Sequence, residues 1–496
     1  MAVETEVLII GAGPTGLMLG CELRRRHVDC VIVDRSERID RRTRAVMVHA
    51  ASLEQLDELG LRTEIERRGL RQRSISFQVH HGAGYEIDFS TLDTRFPYFL
   101  NIPQPEVEEV LAAEFRKLGG QLVRGLGYRS HQETPDGVRA VLASAVTAEI
   151  TIDAHYLVGA DGASSTVRAN LGVGFPGRTY EMPYLLAEGR PVVAPRTDAS
   201  AMYIGPTGSV SVLPLPDGTM RVAGPASPDP LDPGEELSVE RFQRAVSRLG
   251  FGSALELDQV SRLTHYQVHE RIADRYRVGS VLLAGDAAHL NSPAGGQAMN
   301  TGFGDAAGLA WRLSHAIRER GNGVDLLDGY ARERRATAQT VARSTGVLDV
   351  LQSMRTAVTE EQQVVVDAGL SGLAEAWSQL YLTYPTAAEP TGDALLCRGG
   401  NHRIEVGARI PGLGPMAEQF TLLVRPGKVA EAVRHAHRLP PGAHVAELTE
   451  TQAAWLQPDA TGALVRPDRH VSVVLPPTTQ GLRGPTGPRR RLEVSA

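Results

Sequence analysis

The stretch TEVLIIGAGPTGLMLGCELRRRHVDCVIVD, residues 5–34, constrains this chain more than any other. An apolar run (TEVLII) meets Gly11-Ala12-Gly13-Pro14-Thr15-Gly16; a helical stretch follows, and a second apolar run ends on Asp34. Strand, turn, helix and strand within about 30 residues is the size of a βαβ unit, so the chain begins a parallel, α/β sheet. Each glycine has its own task. Gly11 permits the tight turn, Gly13 lets the backbone approach a pyrophosphate, and Gly16 lets helix and strand pack closely. The exposed N–H groups and dipole of the helix start attract the anion. Asp34 stands where an acid accepts hydrogen bonds from an adenosine ribose. This fingerprint serves FAD and NAD equally, and an ordinary glycine-rich turn is the plainer alternative.

Length and charge bound the rest. At 496 residues the chain exceeds one compact core, and at about 150 residues per domain it should hold roughly three units. A net charge of −6 argues against a nucleic-acid partner, which would favour a basic face. The run Arg489-Arg490-Arg491 reads as a solvated tail. No apolar run approaches the roughly 18 residues of a membrane helix, and no secretory signal is visible. Cys21, Cys30 and Cys397 offer neither a disulfide framework nor a metal site. The expectation is a soluble, cytoplasmic protein without metal, membrane or nucleic acid, monomeric or homodimeric.

Helical patterns cover residues 48–59, closed by Gly60, and 104–118, closed by Gly119-Gly120. Residues 74–100 and 180–225 instead carry alternating, β-branched runs such as ISFQVH and SVSVLPL, which predict a second, more antiparallel sheet. SVLLAGD returns to the first sheet, and residues 304–380 read as helical. The predicted division is a Rossmann-like FAD-binding domain in three parts (1–73, 104–179, 271–390), an inserted substrate domain (74–103, 180–270), and a separate small domain over 391–496. The segment after 476 is expected to be disordered.

Two later motifs separate FAD from NAD. In YLVGADGASSTVR, residues 156–168, Asp161-Gly162 ends an apolar strand before a Ser/Thr cluster suited to capping a helix. In VLLAGDAAHLNSPAGGQAMNTG, residues 281–302, Asp286 ends another strand and Pro293–Gly296 form a turn with little side chain. A carboxylate at a strand end can accept from the hydroxyls of a ribityl chain. The bare turn lets backbone N–H groups face a flat ring, and a helix starting near 298–300 aims its positive end there, favouring a reduced, anionic flavin. NAD needs neither feature.

Taken together, GAGPTG, DG, GDAAH and PAGGQAMN resemble the single-component FAD-dependent aromatic hydroxylases. These are the class A flavoprotein monooxygenases of the p-hydroxybenzoate and phenol hydroxylase type, here similar to those acting on aromatic polyketides in antibiotic biosynthesis. The resemblance covers nearly all of residues 5–390; VGARIPG and LVRPDRHVSVV resemble an appended thioredoxin-like domain, here without CxxC. It implies that Gly11, Gly13, Pro14, Thr15 and Gly16 hold the FAD pyrophosphate, Asp34 the adenosine ribose, and Arg35 the adenine side. It places Arg44 near the pyrophosphate, Gln104 at the ribityl and ring side, and Asp161 in a structural, nicotinamide-linked motif. Asp286 matches the ribityl ligand. Pro293, Gly295 and Gly296 flank the ring edge as the catalytic backbone, with Met299 and Asn300 at its pyrimidine end. The chain departs from the family at Asp34, where many relatives have Glu, at Ala298 in place of Gly, and at Asn291-Ser292.

The implied chemistry is reduction of FAD by NADPH or NADH, capture of dioxygen as a flavin C4a-hydroperoxide, and insertion of one oxygen atom into a polycyclic aromatic substrate. Baeyer–Villiger insertion beside a ketone is the alternative, as is an auxiliary protein that binds flavin and ligand without oxygenation. The Trp-x-Trp-x-Ile-Pro segment of flavin halogenases is absent. No general base stands out. His49, Tyr184 and Tyr203 are candidates for substrate contact, with His81 and His265 in plausible regions; ordinary packing is the competing reading for each. His289 reads as a structural hydrogen bond, and Arg41-Arg42 as either a guide for an NADPH phosphate or a solvated pair.

Overall fold

The computed structural model describes residues 3–41, 45–80, 84–144, 149–226, 237–318, 323–353, 372–384, 395–396, 404–410, 419–429, and 443–475 without 457 and 459. Arg42, Arg44, His81, Cys397 and the tail after 475 lie outside the described residues. The opening unit folds as its pattern predicts: strand Val3–Ile10, helix Pro14–Arg25, strand Cys30–Asp34. Val3–Ile10 is sandwiched in register between Cys30–Asp34 and Ile150–Gly159, both parallel to it. Gln121–Arg124 and Val281–Leu283 extend the parallel set on either side, and an antiparallel hairpin, Gly127–Thr134 with Gly137–Ala143, joins Ile150–Gly159. Val7, Leu8 and Ile9 are all fully buried, because helices cover both faces of a parallel sheet and the strand reads as a continuous apolar run.

A seven-stranded sheet stands apart, in the order Leu257–Tyr266, Tyr184–Pro191, Met220–Pro225, Gly208–Pro214, Ala199–Gly205, Ser74–Val79, Tyr85–Asp88. Its pairs are antiparallel except Ala199–Gly205 with Ser74–Val79. Those two strands arrive from distant parts of the chain, so no hairpin dictates their direction. Phe99–Asn101, expected with this sheet, pairs instead with Met47–Val48 and Leu70–Gln72. Alternation divides the sheet's faces. Leu185, Ala187, Val210, Val212 and Val222 pack under the amphipathic helix Val239–Ser247 through Phe242, Ala245 and Val246. The opposite face looks toward the parallel sheet.

The helical stretch resolves into Gln297–Arg318 and Gly323–Ser353, followed by the short helix Leu373–Ser378. After residue 404 a mixed sheet forms in the order His444–Glu447, Thr421–Val424, Gly462–Val465, Val471–Leu475. Its first pair is parallel and the others antiparallel. This module is docked by buried charge. Arg466 bonds Glu333 at 2.8 Å and Asp468 at 3.0 Å, and Arg312 bonds Glu333 at 2.6 Å. Among the described residues no helix is long and apolar enough to cross a membrane, and no cluster of metal-ligating side chains occurs.

Candidate active site

One cavity of about 730 Å³ runs from the first glycine turn, past the 285–299 segment, to the inner face of the seven-stranded sheet. At its first end Gly11 has φ +110°, and a Cβ there would lie 2.2 Å from the Ala160 carbonyl oxygen. A Cβ on Gly16 would lie 2.0 Å from Gly11 O. Both are therefore needed for the strand–helix packing itself. Gly13 differs: it is the N-cap, extended at φ −77°, with no side chain capping the helix, and nothing stands within 4 Å of a Cβ added there. Open space above uncapped N–H groups is the cradle a pyrophosphate needs. Pro14 opens the helix at N1 and lines the cavity. Thr15 also lines it while its hydroxyl wedges between the later segments, since a Cβ on Gly285 or Gly302 would come within 2.5 or 2.2 Å of Thr15 Oγ1.

Asp34 and Arg35 line the same lobe. The Asp34 carboxylate accepts from Ala12 N and Ser36 N, each at 2.7 Å, and so braces the glycine turn as well as facing the lobe. Gln104 Oε1 accepts from Ala45 N at 3.1 Å and its Nε2 donates to Glu108 at 2.8 Å. Asp161 lines the cavity, yet both its oxygens are engaged by the following helix start: Ser165 Oγ at 2.5 Å and Thr166 N at 2.7 Å.

Asp286 lines the middle of the cavity, on a turn held from below. Asp305 Oδ2 accepts from Gly285 N at 2.9 Å and bonds His289 Nε2 at 2.8 Å, while Arg334 Nε donates to Oδ1 at 2.6 Å. Burial would raise the Asp305 pKa, but Arg334 and His289 outweigh it and the net shift is downward, so the carboxylate stays charged. His289 has the structural role its motif suggested.

Gly295 and Gly296 both take positive φ, +71° and +65°. A Cβ would lie 2.9 Å from the Trp377 ring at the first and 2.7 Å from Met47 Cβ at the second. Pro293, Gly296 and Met299 line the cavity; Gly295 lies behind them, its carbonyl turned inward. His49 is fully buried against Phe89 and Phe99, with Nε2 at 2.7 Å from Gly295 O. A carbonyl only accepts, so the ring carries its hydrogen on Nε2. Burial pushes the His49 pKa down to about 4 and keeps it neutral. Thus His49 buttresses the turn from the protein side and does not line the cavity. Asn300 is likewise spent on backbone, donating to Gly296 O at 2.7 Å and Met47 O at 3.0 Å and accepting from His49 N at 2.8 Å.

The far wall is the inner face of the sheet. Tyr184 and Tyr266 lie across from each other, ring centres 5.9 Å apart, with Leu186, Met202, Leu213, Arg221, Arg262 and Thr264 around them. Arg221 Nε donates to Glu188 at 2.8 Å. Of the two tyrosines singled out from the sequence, Tyr184 lines the cavity. Tyr203 does not: it packs edge-on against Phe251 on the helix-covered face, ring centres 4.9 Å apart. Its strand neighbour Met202 faces the cavity, and one residue of register decides between them. Sequence reasoning also missed Asp305, Arg334, Trp377, Tyr266 and the Glu188–Arg221 pair. The Glu188–Arg221 pair had a faint signal, charged residues interrupting otherwise apolar strands.

The chain matches a family model described as FAD binding domain over residues 4–345. It is 35% identical over 362 residues to 12-dehydrotetracycline 5-monooxygenase/anhydrotetracycline 6-monooxygenase of Streptomyces rimosus, covering 70% of this chain and 69% of that one. It is 33% identical to the rifampicin monooxygenase of Rhodococcus hoagii, covering 69% and 70%. Among solved structures, the anhydrotetracycline hydroxylase of Streptomyces rimosus superposes with a TM-score of 0.76 at 29% identity over 97% of both chains.

Proposed function

The chain belongs to the FAD-binding family of flavin-dependent aromatic monooxygenases, and from that premise we propose that it hydroxylates a polycyclic, polyketide-type aromatic at the expense of NADPH or NADH. The balanced reaction takes substrate, O2, NAD(P)H and a proton to hydroxylated substrate, NAD(P)+ and water. The observation that carries this reading is the continuity of the cavity. Its cofactor motifs and a wall of Tyr184, Tyr266, Leu186 and Met202 enclose one space, so a flat aromatic can lie beside a flavin edge without crossing solvent.

FAD, when bound, supplies the redox chemistry. The chain's own residues do the rest. Gly13 and the uncapped helix start receive the pyrophosphate, and Asp34 and Arg35 face the adenosine end. Asp286 takes the ribityl hydroxyls, and Pro293–Gly296 present backbone to the ring. The helix Gln297–Arg318 aims its positive end at that turn. Tyr184 and Tyr266 give the substrate an aromatic platform, with Leu186, Met202 and Leu213 as its apolar surroundings. The test is direct. Purified protein with FAD should oxidise NADPH or NADH faster when a polycyclic phenol is added, and mass spectrometry under 18O2 should find one labelled oxygen in the product. Nicotinamide oxidation indifferent to every such phenol, with no labelled product, sinks the proposal.

A further inference from the structure

Arg334 belongs to neither the glycine motifs nor the cavity wall, yet it touches the supports of both cofactor-facing segments. It is 1% exposed. Nε donates to Asp305 Oδ1 at 2.6 Å, and Asp305 holds the Gly285-Asp286 turn. Nη2 donates to Thr301 O at 2.9 Å, in the first turns of the helix that follows Gly295-Gly296. Nη1 donates to Tyr384 OH at 3.0 Å. Tyr384 is stacked on His470 of the C-terminal module, ring centres 3.8 Å apart, and lies under the Arg466 guanidinium. A planar fork with fixed donor angles sets distances that a flexible ammonium cannot. Gly304 leaves room for it, since a Cβ there would lie 2.8 Å from Nη2.

The geometry points to Arg334 as a positioning residue for the flavin, fixing the spacing between the Asp286 turn and the flavin-edge helix, with the C-terminal module locking the arginine through Tyr384. This gives that module a task without thiol chemistry: it is a brace on the cofactor site. The inference rests on the reading that Asp286 and the 293–296 turn hold one flavin.

Three full-length variants test it by FAD titration, followed by quenching of flavin fluorescence and by the visible flavin spectrum. Asp286→Ala should bind no FAD while remaining folded; a variant still yellow at full occupancy would overturn the site reading itself. Arg334→Lys keeps the charge but loses the fork. Its FAD Kd should rise about tenfold or more, the scale of one lost charge-assisted hydrogen bond, and its spectrum should shift. Tyr384→Phe removes only the locking hydroxyl, and should raise Kd about threefold, less than Arg334→Lys because the Asp305 and Thr301 bonds remain, with a spectral shift in the same direction. Wild-type affinity and spectrum in Arg334→Lys, beside loss of FAD in Asp286→Ala, would refute the positioning role. Should Arg334→Lys not fold, an unchanged Kd in Tyr384→Phe alone would refute the lock.

Discussion

The two walls of the cavity are built from different materials. The cofactor side is set by backbone turns at Gly11, Gly13, Gly285, Gly295 and Gly296, four of them at positive φ. The sheet side is built from side chains, with Tyr184, Tyr266, Arg221 and Arg262 projecting from strands whose backbone is regular. A backbone-built wall needs particular residue types at particular spacings, because only glycine tolerates those conformations and approaches. A side-chain wall needs only that the right face be presented. The first kind of site resists substitution; the second tolerates it and sets which substrate fits.

The sharpest break of this comparison lies within one motif. Gly11→Ala meets both a left-handed φ and the Ala160 carbonyl, and should cost about 3–5 kcal/mol; little folded protein is expected, read by thermal denaturation. Gly13→Ala meets open space at an ordinary φ. It should cost the FAD-free fold less than about 1 kcal/mol yet weaken FAD binding. Equal thermal loss in the two would mean that the motif is a fold device only.

On the other wall, Tyr266→Ala should leave FAD affinity unchanged and raise the KM for the aromatic substrate roughly three- to tenfold, the scale of a lost aromatic contact. A KM equal to wild type would remove Tyr266 from the substrate's surroundings. The remaining effect, one of pH rather than of fit, concerns His49. Its folded-state pKa of about 4 lies below the ordinary histidine value, so the unfolded chain binds a proton that the folded chain refuses. Its contribution is complete above about pH 6.5 and is lost as pH falls toward 4, up to roughly 3 kcal/mol. His49→Leu should flatten the stability–pH curve between those values. His470 is pushed down to about 4 as well, so the difference between variant and wild type is the quantity to measure. An unchanged slope would mean that His49 charges freely, against its burial.

Legibility followed the same division. Strand ends, glycine turns and helix starts were readable because local geometry demands their residue types: Gly60 at φ +72° and Gly119 at φ +79° close the helices where expected. Tyr203 went to the wrong face because alternation shows that a strand has two faces but not which one meets the cavity. His49 was readable as a candidate contact or as ordinary packing, and only the fold showed it fully buried beneath the turn. Asp305 and Arg334 carried no local signal, being separated by 29 residues and joined only by packing.

The sequence by itself determined an α/β chain with a glycine-rich strand-to-helix turn, and a second glycine turn at positive φ within the 281–302 segment, since backbone conformations of that kind are written in residue type. Tertiary structure alone decided which tyrosine faces the cavity and which histidine lies beneath the turn. It also decided that the C-terminal module reaches the cofactor supports through Tyr384. Those outcomes depend on which surfaces meet across long loops, and burial of a face is a property of the whole packed chain.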